Sequence, residues 1–173
     1  MNFPRILLLA AIVSGGAFAQ PALQSAAEKP AAKILWSETA GRLDSPEASA
    51  VITALAIADP QHAGGQFRGV RITLTSHGKQ DSVYIDAREF AALSSQVHQW
   101  ASGWAHMGGS AFQGTHSTNC PDEESQRLPL FLEYRTPVMV LTVRGYDGLS
   151  FTDLTPPDVA AIFTRASLRL KAQ

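Results

Sequence analysis

Cysteine occurs once in the 173 residues, at Cys120, so no intramolecular disulfide can brace the chain and its stability must come from buried surface. An odd cysteine leaves one covalent option, a homodimer through Cys120. No run of Lys and Arg occurs anywhere, which argues against a nucleic-acid or anionic-membrane partner, because such binding needs concentrated positive charge. The longest apolar run, residues 6–13, falls well short of the roughly 20 residues that span a bilayer, so no membrane anchor is expected. There is no G-x-G-x-x-G, no G-x-x-x-x-G-K-S/T, no H-E-x-x-H and no G-x-S-x-G; no phosphate loop, zinc-protease helix or nucleophile elbow is signalled. Asn119 is followed by Cys120 and Pro121, so N-glycosylation offers no guidance either.

What is present begins at the N-terminus. MNFPRILLLAAIVSGGAFA has one cation, Arg5, then a short apolar run, then Ala17 and Ala19 around Phe18. That order predicts a secretory signal peptide over residues 1–19 and an exported protein, periplasmic or secreted, starting near Gln20. Without residues 1–19 and their single cation, 154 residues remain with 13 Lys and Arg against 15 Asp and Glu. A chain of that length, 45% apolar overall, holds one domain with a core of its own. Residues 20–32, QPALQSAAEKPAA, lack periodicity and read as a flexible linker, leaving a single domain over 33–173.

Residues 34–36 read as the start of a short edge strand. Over 46–58, Ser45-Pro46-Glu47 suits a helix start, whereas alternation and β-branched content favour a strand; the reading leans to a strand over 50–58 and leaves helix open. From residue 67 the pattern sharpens. Val70, Ile72 and Leu74 alternate with Arg71, Thr73 and Thr75, SHGKQD supplies a turn, and SVYID returns with Val83 and Ile85 on one face, which predicts a hairpin. At Asp86 the period changes: Asp86 caps, Glu89 reaches back as in a capping box, and Phe90, Leu93, Val97, Trp100 and Trp104 form one stripe of an amphipathic helix.

The same junction recurs 69 residues later. Met139, Leu141 and Val143 take the places of Val70, Ile72 and Leu74, Thr155 falls on Asp86, and Asp158 on Glu89. Proline at the first helical position again follows the cap. LSFTDL sets Leu149 and Phe151 out of phase with Val83 and Ile85, a mismatch that a bulge or one-residue slip repairs. Two readings stay open: a β-β-β-α unit used twice, or two unrelated hairpin-helix units obeying the same capping rules. Both lead to an α+β fold, an antiparallel sheet of about five to six strands with two amphipathic helices on one face.

Chemistry is most expected in residues 105–127, a long connection rich in Gly, Ser, Thr and His. It holds His106, Phe112, His116 and Cys120, the candidate ligand-binding residues, with His98 just before it. Cys120 with His116 is the weak catalytic candidate pair: a thiolate nucleophile and its base. Asp122, Glu123 and Glu124 would raise that thiol's pKa, whereas a reactive thiolate wants positive neighbours. A metal set of His98, His106, His116 and Cys120 lacks the tight ligand pairs of zinc sites, so no metal and no cofactor are expected. Trp100, Trp104 and Phe112 suit a pocket wall, although the two tryptophans suit a helix's buried face better. These features predict a non-catalytic exported domain that binds a protein or small ligand, with a Cys/His hydrolase or transferase built on residues 105–127 as the alternative.

Overall fold

The computed structural model describes residues 33–60, 62–104, 110–115, 129–143 and 149–173. Alternation dominates both halves. β1 (Ile34–Asp44), β2 (Ala48–Ala58), β3 (Gln66–Ser76) and β4 (Lys79–Asp86) form one antiparallel sheet in chain order, and α1 (Ala87–Ser102) follows directly. β5 (Ser110–Thr115), β6 (Pro129–Arg135), β7 (Val138–Val143) and β8 (Leu149–Leu154) form a second sheet in chain order, followed by α2 (Pro156–Ala172). The α+β class and the two helices stand as expected. The single sheet of five to six strands does not: there are two four-stranded sheets, and each unit is β-β-β-β-α.

The 46–58 segment resolves as a strand. Ser45 turns the β1–β2 hairpin, its backbone N–H donating to the Ala48 carbonyl at 2.8 Å and its hydroxyl accepting from the Ala48 N–H at 3.1 Å. The serine that resembled a helix cap is therefore a turn residue. β1 is an eleven-residue edge strand, longer than residues 34–36 suggested. The 69-residue shift carries the first residue of α1 onto the first of α2, and β3-β4 onto β7-β8. β8 contains the bulge that the phase mismatch called for: the β7–β8 register shifts between Met139 and Leu141, and Asp153 takes φ 64° opposite it. Leu149 and Phe151 are buried before the bulge and Leu154 after it.

The two capped junctions differ in detail. Asp86 accepts from the Arg88 and Glu89 N–H groups at 2.7 and 2.8 Å. Glu89, however, makes no return bond to Asp86; burial first, then the Asp86 charge, hold its carboxyl above the usual range. At α2, the Thr155 hydroxyl accepts from the Asp158 N–H at 3.4 Å and donates to the Asp158 carboxylate.

One core unites both sheets and both helices. Val70, Ile72, Leu74, Val83 and Ile85 from the first sheet meet Leu132, Tyr134, Met139, Leu141 and Phe151 from the second, with Phe90 and Trp100 of α1 and Ile162 and Phe163 of α2. Phe90 and Phe163 pack with ring centroids 5.0 Å apart, and burying each is worth about 1.5–3 kcal/mol. α2 lies over β1 and β2 of the first sheet and against α1. β2 offers it a shallow surface of Ala50, Ile52, Ala54 and Ala56, and a Cβ on Gly41 of β1 would stand 2.9 Å from Ile162 Cγ1. The sheet also has a second apolar patch, contrary to the single apolar face expected: Leu55, Ile57, Phe67 and Tyr84 cluster on its other side.

Candidate functional site

The expected site lies mostly beyond description. His106, His116 and Cys120, and with them the Cys/His pair and most of the metal set, lie outside the described residues. The expected patternless connection does contain order, since Ser110–Thr115 is strand β5 and its Phe112 pairs with Leu132 of β6. Trp100 is buried against Tyr134. Trp104 instead stands past the helix end, 39% exposed, with its Nε1–H donating to the Pro137 carbonyl at 2.9 Å; it is not a core residue.

His98 bridges the two helices. Nδ1 lies 2.6 Å from the Ser94 carbonyl oxygen, which can only accept, so Nδ1 carries a proton. Nε2 lies 2.8 Å from the Thr164 hydroxyl. His98 thereby ties α1 to α2, and Thr164 Oγ1 is also 2.9 Å from the Ala160 carbonyl. Among the described residues no group of three His, Cys, Asp or Glu is placed to hold a metal.

The feature that the described residues do build is a groove of about 570 Å³ between the helices, lined by Arg68, Ala87, Phe90, Ala91, Ser94, Ser95, His98, Ser167, Leu170 and Lys171. Its origin is local. Ala87, Ala91 and Ser95 recur every four residues on α1, one side of the buried stripe, and side chains this short leave the space between the helices unfilled. Arg68 enters from β3. It shares the inward parity of Val70, Ile72 and Leu74, at the end of the strand where the core gives way to solvent, and its Nη2 donates to the Leu170 carbonyl at 2.8 Å. Among the described residues no Asp or Glu lines the groove. A second, more polar recess of about 460 Å³ lies between the β1–β2 turn, the β3–β4 turn and β8, with Glu47, His77 and Asp153 in its wall. Its charges are mixed, and His77 and Glu47 are 3.8 Å apart with both side chains largely in water, where such a pair contributes little.

Sequence reasoning named His98 for a different role and passed over Arg68 and Lys171. A usable signal existed for Arg68: it has the same parity as Val70, Ile72 and Leu74, two residues before the first of them. None existed for Lys171, which reads like any cation in a helix's last turn.

No family model matches this chain, and no curated protein does. A solved structure, "Structure of the plant transcriptional regulator PBF-2", is similar at 11% identity with a TM-score of 0.41, covering 76% of this chain and 89% of that one. A likeness that low bears on neither function nor partner. No helix among the described residues is long and apolar enough to cross a membrane.

Proposed function

We propose that this chain is an exported, non-catalytic domain that binds a small ligand in the groove between α1 and α2. The observation that carries the reading is the groove itself. Its volume, about 570 Å³, falls within the roughly 300–1,000 Å³ of small-molecule sites, and it combines apolar walls with a few polar groups, as such sites do. The signal-like N-terminus supports export.

The non-catalytic part rests on proton bookkeeping at His98. The Ser94 hydroxyl is 3.5 Å from Nδ1, but Nδ1 has its proton directed at the Ser94 carbonyl. It cannot take another from a nucleophile while that bond stands. Nε2 is engaged by Thr164. In that tautomer Nε2 is the ring's basic nitrogen, and its partner Thr164 is not among the residues described as lining the groove.

The test pairs export with occupancy. Cell fractionation and intact mass should place the protein outside the cytoplasm with Gln20 as its first residue. A small-molecule library screened by thermal shift should give compounds that stabilise the wild-type protein and not Ala91→Trp, whose indole fills the groove from an exposed position. Compounds that stabilise both proteins equally would remove the groove as the site.

A further inference from the structure

Resting on that reading of the groove, we infer that its ligand is a small organic anion, with a carboxylate or phosphate held by Arg68 and Lys171 and a carbon body lying on Phe90, Ala91 and Leu170.

The cations are placed together by the backbone. Arg68 bonds the carbonyl of Leu170, the residue next to Lys171, and both side chains line the same groove. Neither has a carboxylate partner among the described residues. Arg42, Arg135 and Arg169 do pair with acids, Asp44 at 2.6 Å, Glu133 at 2.6 Å and Glu38 at 2.7 Å, whereas Arg165, like Arg68, bonds a backbone carbonyl; what sets Arg68 and Lys171 apart is that they share a groove.

A plainer account makes both cations caps for the free carbonyls and negative end of α2. It covers part of the arrangement. Arg68 spends one N–H on Leu170, and a guanidinium has five in a planar fork suited to bidentate carboxylate or phosphate. Capping also leaves the rest of the groove unexplained. Ser95 and Ser167 line the same space, and a serine hydroxyl can donate to an anion. With no acid among the described lining residues, an entering anion meets the donors of Arg68 and Lys171, which also offset the negative end of α2, while the apolar wall beside them makes a lone inorganic ion a poor fit.

The experiment is titration of the exported, processed protein with four probes: hexanoate, hexyl phosphate, inorganic phosphate and the uncharged hexanamide. The expected result is that hexanoate or hexyl phosphate binds at least about tenfold more tightly than hexanamide, and that inorganic phosphate is weaker than hexyl phosphate. Whichever of the two alkyl anions is tighter identifies the headgroup. Arg68→Gln and Lys171→Gln should each weaken the anion by about tenfold, the size expected for one charge-assisted contact, and leave hexanamide unchanged. Lys171 is exposed at the end of α2, so its variant folds even if the Arg68 variant does not. Hexanamide binding as well as the anions, and blocked by Ala91→Trp, would overturn the anion assignment and leave the groove reading intact. Anions indifferent to all three substitutions would overturn both. No binding of either alkyl anion at millimolar concentration would overturn the anion assignment.

Discussion

A methyl group added to Gly41 measures how closely α2 is seated on the first sheet. In Gly41→Ala the new Cβ would lie 2.9 Å from Ile162 Cγ1, 3.1 Å from Ile162 Cδ1 and 3.0 Å from Arg165 Nη2. Ile162 is buried in the core and Arg165 is held by its Nε–H donating to the Ala40 carbonyl at 2.9 Å, so neither can swing away freely. Overpacking of this kind costs about 1–3 kcal/mol. Replacing glycine by alanine in a strand returns about 0.5–1 kcal/mol of backbone entropy. Taking the middle of each range, the net is a loss of about 1 kcal/mol, and at roughly 2–4 °C per kcal/mol for a chain of this size the melting temperature falls by about 2–4 °C. Gly69→Ala is the internal standard, because its Cβ would stand 2.1 Å from the Ile85 carbonyl oxygen. That atom is backbone, paired in the β3–β4 ladder, and cannot yield without shifting the register. Thermal and urea unfolding, followed by circular dichroism, should rank wild type above Gly41→Ala and both above Gly69→Ala. A Gly41→Ala protein as stable as wild type or more so would refute the close seating, since backbone entropy alone predicts a gain.

Three further outcomes follow from the same contacts. Asp86→Ala, which removes the acceptor for two α1 N–H groups, should cost about 1 kcal/mol in urea unfolding, and Asp86→Asn much less. Glu89 binds its proton more tightly folded than unfolded, because burial and then Asp86 raise its pKa; its contribution is present at low pH and lost as pH rises through the folded value. Glu89→Gln should therefore raise the urea midpoint near neutral pH and leave it unchanged below about pH 4, and a gain that persists in acid would count against the assignment. Arg165 and Arg169 donate to the Ala40 and Thr39 carbonyls on the outer edge of β1. The double change to glutamine leaves strand acceptors uncovered, and sedimentation velocity should show association that grows with concentration; a protein monomeric at all concentrations would contradict this role.

Local signals proved the most legible. The alternation over Val70, Ile72 and Leu74 and the caps at Asp86 and Thr155 are short-range physics, and each appears where the residues place it. The phase slip in LSFTDL even marked its own bulge. Sheet number was not legible, because alternation tells which face of a strand is apolar and not which strands are neighbours. β5 hid in a Gly- and Ser-rich stretch whose strand is stabilised by pairing with β6 rather than by its own propensity. Trp104 continued the helical spacing of Phe90, Leu93, Val97 and Trp100, yet the helix stops at Ser102, so the stripe outran the element that would have buried it. The groove was the least legible feature. It is built from small residues of α1, one arginine of β3 and the last turn of α2, which the fold brings together from distant positions, and of the His and Cys residues that draw the eye His98 is the one described in its wall.

Placing α2 on β1 has a kinetic consequence. The bonds from Arg165 to Ala40 and from Arg169 to Thr39 join residues 125 and 130 apart in sequence, so the part of the first sheet on β1 and β2 gains its native cover only when the final helix arrives. Closing loops of that length is slow compared with forming hairpins or helices. The first four strands and α1, emerging alone, hold a half-covered sheet rather than a finished core, and no native seal forms over Ala50 and Ile52 in the meantime.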